Sequence, residues 1–228
     1  MLKIEKWVFN PNQECTHVVS DETGEAVIID CGAFYANERK RLLNYIEEEG
    51  LRPVRLLLTH AHHDHLYGND LIHEHFGLLP EVHEDDRHIM LHMLPLRIKE
   101  LFGEKYPYQI PLPEYYLHSG EIIRFGNHQL RVISTPGHTP GSVVFYCWEE
   151  KVAFTGDTLM SMSVGRTDFP GGDREQMEES LYYLTHRFAD DVVIYPGHGG
   201  KSTIGHEKAC NPYLYPDATG NDSLPFCL

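Results

Sequence analysis

The chain has 228 residues, 41% of them hydrophobic, and a formal net charge of −15. That is enough apolar material to bury a core, as one α/β domain or two small ones. The acidic balance opposes a nucleic acid or anionic membrane partner, and no apolar run approaches the length of a membrane span.

In chain order, residues 3–9 and 15–20 read as strands, Asp21-Glu22-Thr23-Gly24 as a turn, and 26–30 as a third strand. Together they form an antiparallel meander. Asp30 ends that strand beside Gly32, either as a turn residue or as an acceptor that steadies a neighbouring loop. Residues 37–49 have helical spacing, with Leu42, Leu43 and Ile46 inward and Gly50 as the stop. Val54-Arg55-Leu56-Leu57-Leu58 is a short buried strand. It runs into Thr59-His60-Ala61-His62-His63-Asp64-His65, where His60, His62, Asp64 and His65 place four potential ligands within six residues. Neutral imidazole and carboxylate are the ligands that zinc, iron and manganese accept. The plainer alternative is a polar loop that is rich in histidine, in a chain with 16 His.

Beyond that loop, 68–76 reads as a short helix ended by Gly77, and 80–83 as a brief strand. Residues 84–102 have helical spacing in Ile89, Met93, Leu96 and Leu101, which Pro95 is expected to kink or interrupt. His88 and His92 stand at i and i+4, but without a third ligand they read as an exposed helical face. The segment 103–117, with Tyr106, Tyr108, Tyr115 and Tyr116 among prolines, is a long loop. It is either a pocket wall or a plain connector.

The second half opens with strands at 121–125 and 129–133, joined at Gly126-Asn127. Thr135-Pro136-Gly137-His138-Thr139-Pro140-Gly141 is a tight loop that presents His138. Strands follow at 143–147 and 152–155, the second running into Gly156-Asp157. Residues 173–188 form a helix capped by Asp173, with Gln176 three residues on and Met177, Leu181, Leu184 and Phe188 inward. A last strand at 191–195 delivers Pro196-Gly197-His198, and the tail from Asn211 looks irregular. Both halves show strands followed by a helix, which suggests two similar half-domains packed face to face. The cysteines at 15, 31, 147, 210 and 227 have no close pairs. With the lack of an apolar leader core in Met1-Leu2-Lys3-Ile4-Glu5-Lys6, they point to a reducing, cytoplasmic setting.

One pattern recurs four times: an apolar strand ends and a His or Asp follows. It yields the 60–65 cluster, His138, Asp157 and His198. Ligand and catalytic groups collect where strands end in layered α/β folds, and these residues suffice for two metals.

Thr59-His60-x-His62-x-Asp64-His65, with His138, Asp157 and His198, resembles the metallo-β-lactamase superfamily over most of the chain. The resemblance implies an α/β fold, the four-layer αββα sandwich of that family. It implies that His60, His62 and His138 bind a first metal, that Asp64, His65 and His198 bind a second, and that Asp157 bridges them. Asp64 and Asp157 would be the catalytic carboxylates, ligands first, with Asp157 also orienting the nucleophile. The cofactor expected is a pair of divalent metals, zinc first, with iron or manganese as alternatives.

Residues also separate the branches. Enzymes of the β-lactamase branch generally lack the bridging Asp, and flavodiiron proteins usually carry Glu at the position of His62. Gly165-Arg166-Thr167-Asp168-Phe169, Tyr195-Pro196-Gly197-His198-Gly199 and Thr203-Ile204-Gly205-x-Glu207-Lys208-x-x-Asn211-Pro212 look like short bacterial relatives of glyoxalase II, the hydroxyacylglutathione hydrolases. The Gly-Arg-Thr-Asp-Phe segment also occurs in persulfide dioxygenases, which use one iron held by two His and one Asp. The chain departs from the pattern at Cys15-Thr16-His17, where Asn-Thr-Tyr is common, and at Met162, where a glycine is common. Residues 1–228 are expected to be a single domain without the helical C-terminal domain that grips glutathione in full-length glyoxalase II. Weak discrimination between thiol carriers is expected to follow.

The expected reaction is attack of a metal-activated hydroxide on a small thioester or ester. Arg166 would touch the substrate, unless it only pairs with Asp168 to brace its loop. The alternatives are a mononuclear iron persulfide dioxygenase, an esterase, lactonase or phosphodiesterase of the same superfamily, and a non-catalytic metal-binding protein. The expected partner is a small molecule, with no nucleic acid and no membrane; oligomeric state is not legible.

Overall fold

The computed structural model describes residues 1–103 and 106–214. Strands β1 (Lys3–Phe9), β2 (Glu14–Ser20) and β3 (Glu25–Ile29) run antiparallel. Helix α1 (Ala36–Glu48) crosses back, so β4 (Arg52–Leu57) lies parallel to β3. Helix α2 (Asn69–Phe76) leads to β5 (Pro80–His83), and α3 (Leu94–Phe102) precedes β6 (Tyr116–Leu117). These strands form a six-stranded sheet in the order β1-β2-β3-β4-β5-β6.

The second half repeats the plan. Strands β7 (Ile122–Phe125), β8 (His128–Ser134), β9 (Val143–Cys147) and β10 (Val152–Gly156) are antiparallel neighbours. A small ribbon, β11 (Leu159–Met160) and β12 (Ser163–Val164), stands apart. Helix α4 (Arg174–Arg187) returns the chain to β13 (Val193–Pro196), parallel to β10, and β14 (Ser202–Thr203) and α5 (Ile204–Cys210) follow. The second sheet has the order β14-β13-β10-β9-β8-β7.

Strand alternation builds the layers, because successive side chains point to opposite faces. Val27, Ile29 and Leu57 face inward and meet Phe125, Val132, Phe145 and Phe154 of the opposite sheet. Ala26, Ile28 and Leu56 face outward onto Leu42 and Ile46 of α1 and Leu71 and Ile72 of α2. Val144, Ala153 and Ile194 likewise meet Met177, Leu181 and Leu184 of α4 and Ile204 of α5. The result is the expected αββα sandwich.

Element bounds shift by a residue or two from the sequence reading. Asp173 caps α4 as expected, its Oδ1 accepting from the Gln176 N–H at 3.0 Å. The 84–102 segment is not one kinked helix. A 3-10 turn at Glu84–Asp86 comes first and a π-helical turn at Ile89–Met93 follows, with Pro95 in the first turn of α3 directly after it. Helix α5 is an addition, started by the Thr203 hydroxyl accepting from the His206 N–H at 3.1 Å. Of the tail from Asn211, Pro212–Leu214 form a 3-10 turn, and residues from 215, including Cys227, lie outside the described residues, as do 104–105 of the long loop. Cys15, Cys31, Cys147 and Cys210 are free thiols. No helix among the described residues is long and apolar enough to cross a membrane.

Candidate metal centre

Four strand ends deliver the site. After β4, the Thr59 N–H donates to Asp30 Oδ1 and the Thr59 hydroxyl to Asp30 Oδ2, both at 2.8 Å. The chain then leaves the sheet, and a 3-10 turn at His63–His65 points Asp64 and His65 inward. The second sheet supplies His138 from the β8–β9 loop, Asp157 just past β10 and His198 just past β13. Close approach there requires Gly197: a Cβ would lie 2.3 Å from Asp157 Oδ1 and 2.7 Å from His65 Cε1.

The seven side chains converge. Ligand atoms of His60, His62 and His138 lie within 4.8 Å of one another, as do those of Asp64, His65 and His198. Asp157 stands between the trios. Its Oδ2 is 3.5 Å from His138 Nε2 and 3.5 Å from His198 Nε2, and its Oδ1 is 3.7 Å from His65 Nε2. His63 does not join; its ring packs on Tyr67, with centroids 5.7 Å apart.

The outward ring nitrogens are pinned. His138 Nδ1 donates to the Arg166 carbonyl at 2.7 Å, and His198 Nδ1 to the Asn12 carbonyl at 3.1 Å. His65 Nδ1 faces Asp30 Oδ2 at 3.0 Å. The Thr59 hydroxyl, which spends its proton on Asp30, accepts from His60 Nδ1 at 3.1 Å. In the neutral ring each such bond sets the tautomer whose lone pair on Nε2 faces inward. His62 differs: its Nδ1 lies 2.8 Å from His138 Nε2.

These residues fit cations. His60 Nε2, His65 Nε2 and Asp157 Oδ1 are buried without a hydrogen-bond partner. Buried polar atoms left this way are costly, and shared divalent ions would satisfy all three. Burial, reinforced by neighbouring imidazoles, holds His60 and His62 well below the usual histidine range, and burial lowers His138. Neutral rings are the ligating form. Burial also works against charge on His65, but Asp30, Asp64 and Asp157 outweigh it and raise the ring well above its usual value. A cation bound there would take over that compensation, leaving His65 neutral to ligate it.

Asp30 is therefore an acceptor behind the loop, not a plain turn residue. Arg166 forms a double contact with Asp168, Nε and Nη2 each at 2.6 Å, and lies 3.9 Å above the Phe169 ring. Phe169 in turn meets the His62 ring edge-on at 5.9 Å. Met162 is exposed, with a left-handed backbone. In the long loop, Tyr106 and Tyr108 pack on Phe34, and Tyr106 reaches Tyr67, which packs on His63 next to Asp64. His88 and His92 are an exposed pair with ring centroids 5.0 Å apart. Sequence reading missed Asn10, whose Nδ2 donates to the Asp64 carbonyl at 2.9 Å. It also missed Glu14, fully buried near Asp30 and His65 and raised well above the carboxylate range by burial. Neither stands in a motif, so only the fold brings them to the site.

A sandwich of this topology with this histidine and aspartate cluster defines a class, and the comparison with known proteins agrees. The chain belongs to the metallo-beta-lactamase superfamily, whose family model matches residues 12–198. It is 36% identical over 202 residues to the hydroxyacylglutathione hydrolase GloC of Haemophilus influenzae, covering 89% of this chain and 92% of that one. It is 32% identical over 221 residues to the human mitochondrial persulfide dioxygenase ETHE1, covering 92% and 77%. The crystal structure of TTHA1623 in a di-iron-bound form superposes with a TM-score of 0.79 at 34% identity, covering 92% of this chain and 100% of that one.

Proposed function

We propose that this chain is a metal-dependent hydrolase of small thioesters. His60, His62 and His138 would hold one divalent ion, Asp64, His65 and His198 would hold a second, and Asp157 would serve both. Zinc is the first choice, with iron or manganese as alternatives, and a reducing, cytoplasmic setting suits the free thiols. The observation that carries the reading is the position of Asp157, whose Oδ2 lies 3.5 Å from both His138 and His198, members of different trios. The likeness to a hydroxyacylglutathione hydrolase supports the substrate class.

When bound, paired divalent ions supply a water acidified to near neutral pH and a Lewis acid for a carbonyl oxygen. The chain's own residues do the rest. Asp157 orients the attacking water, and the four pinned imidazoles keep the ligand frame rigid. Phe169, braced by Arg166, walls the site beside His62. Arg166 also offers charge to a carboxylate-bearing carrier. A thiolate leaves readily because its conjugate thiol has a pKa of ~8.5, so no protonated general acid is needed.

A panel of lactoyl thioesters with different thiol carriers tests this reading. Cleavage across the panel is expected, with kcat/KM changing less than about tenfold between carriers, or ~1.4 kcal/mol of transition-state binding. The likeness to a persulfide dioxygenase and the shared Gly165–Phe169 segment favour one second reading. Oxygen consumption with glutathione persulfide, and no thioester cleavage, would establish it instead.

A further inference from the structure

Asp86 is completely buried and is none of the seven converging residues, yet its carboxylate joins the two loops that carry His60, His62 and His138. Oδ2 accepts from the backbone N–H of Ala61, between His60 and His62, at 2.8 Å. The same oxygen accepts from the Thr139 hydroxyl, next to His138, at 2.9 Å. Oδ1 accepts from the Gly141 N–H at 2.7 Å. Ala61 lies on the loop that leaves the first sheet, while Thr139 and Gly141 lie on a loop of the second. A Cβ on Gly141 would sit 2.5 Å from the Asp86 nitrogen and 2.7 Å from its Cγ, so only glycine allows this approach.

We propose that Asp86 is a positioning residue for the His60–His62–His138 trio, setting the distance between two imidazoles on one sheet and the third on the other. The inference rests on the metal-centre reading above. Functional constellations work only when held within about 0.5 Å of their productive geometry. The nearby backbone bond from the Val143 N–H to the Thr59 carbonyl, at 2.9 Å, joins the same two layers, but before His60 and beyond His138. Asp86 grips the loops at the ligands themselves. Only a carboxylate can accept on both oxygens; an amide would turn an N–H against one of the three donors.

Zinc affinity, measured by competition with a chromophoric chelator, and the visible spectrum of the cobalt-loaded protein test the proposal. Asp86→Asn is expected to weaken one of the two ions about 10–100-fold, the usual effect of losing an outer partner of a metal ligand, and to change the cobalt spectrum. Thr139→Val is expected to give a smaller loss in the same direction, and Thr139→Ser, which keeps the hydroxyl, to restore it. The loss should persist in the His198→Ala background, which retains this trio. If Asp86→Asn fails to fold, the Thr139 pair decides. Wild-type affinities and spectra in folded Asp86→Asn or, failing that, in Thr139→Val would overturn the proposal. Wild-type protein that binds no metal would overturn the ligand assignment itself, a separate result.

Discussion

Asp30 Oδ2 lies 3.0 Å from Nδ1 of His65, and both side chains are almost wholly buried. The carboxylate also holds the first residue of the histidine loop through the Thr59 N–H and hydroxyl. Asp30 has a left-handed backbone, φ 55°, which asparagine tolerates. Asp30→Asn therefore keeps the turn but removes the charge and one of the two accepting oxygens. Metal affinity is expected to fall about 10–100-fold, read by chelator competition, with the fold intact by circular dichroism. Unchanged affinity would show that the carboxylate only shapes the turn.

Asp157→Ala removes the one side chain that stands between the trios. Metal content and thioester hydrolysis are expected to fall together, while cooperative unfolding is retained because Asp157 follows a strand and fills no apolar space. Elemental analysis beside a turnover assay checks this. Full turnover in the variant would exclude a role at both ions.

Arg39 and Asp70 form a buried double contact, at 2.9 and 2.8 Å, with the guanidinium 4.0 Å above the Tyr108 ring. Arg39→Ala leaves Asp70 buried without its partner and removes the support under the long loop. A loss of about 3–5 kcal/mol is expected in denaturant unfolding. A change below about 1 kcal/mol, the value of an exposed pair, would contradict the buried geometry.

At the opposite end of the sandwich, His128 lies 2.9 Å from Asp21 and 3.2 Å from Glu150. Burial opposes its charge and the Met1 ammonium adds a smaller repulsion. The hydrogen bonds to Asp21 and Glu150 outweigh both and raise its pKa. A raised basic group stabilises fully below its unfolded value of ~6.5 and loses that contribution as pH climbs through the folded value. His128→Gln should therefore show a smaller drop in Tm between pH 6 and pH 9 than the wild type. Identical drops would rule out the clasp.

Much of this was legible in the sequence because strand period and helix spacing report burial directly. Val27 and Ile29 against Ala26 and Ile28 already separate an inner from an outer face. The seven converging residues each follow an apolar strand, so local pattern exposes them. Asp86 had no such signal: it is the last of three acids in Glu84-Asp85-Asp86, and only the meeting of two sheets gives it donors. The same holds for Glu14 and Asn10, whose partners are distant in sequence. Helix α5 escaped notice because its seven residues are too few for a periodic stripe.

The number of metal ions bound per chain tests the dinuclear assignment most directly. Protein purified without added metal, then equilibrated with zinc and freed of excess, should hold two ions per chain by elemental analysis. One ion per chain, or a single iron in the protein as isolated, would contradict the pairing of the His60 and Asp64 trios across Asp157.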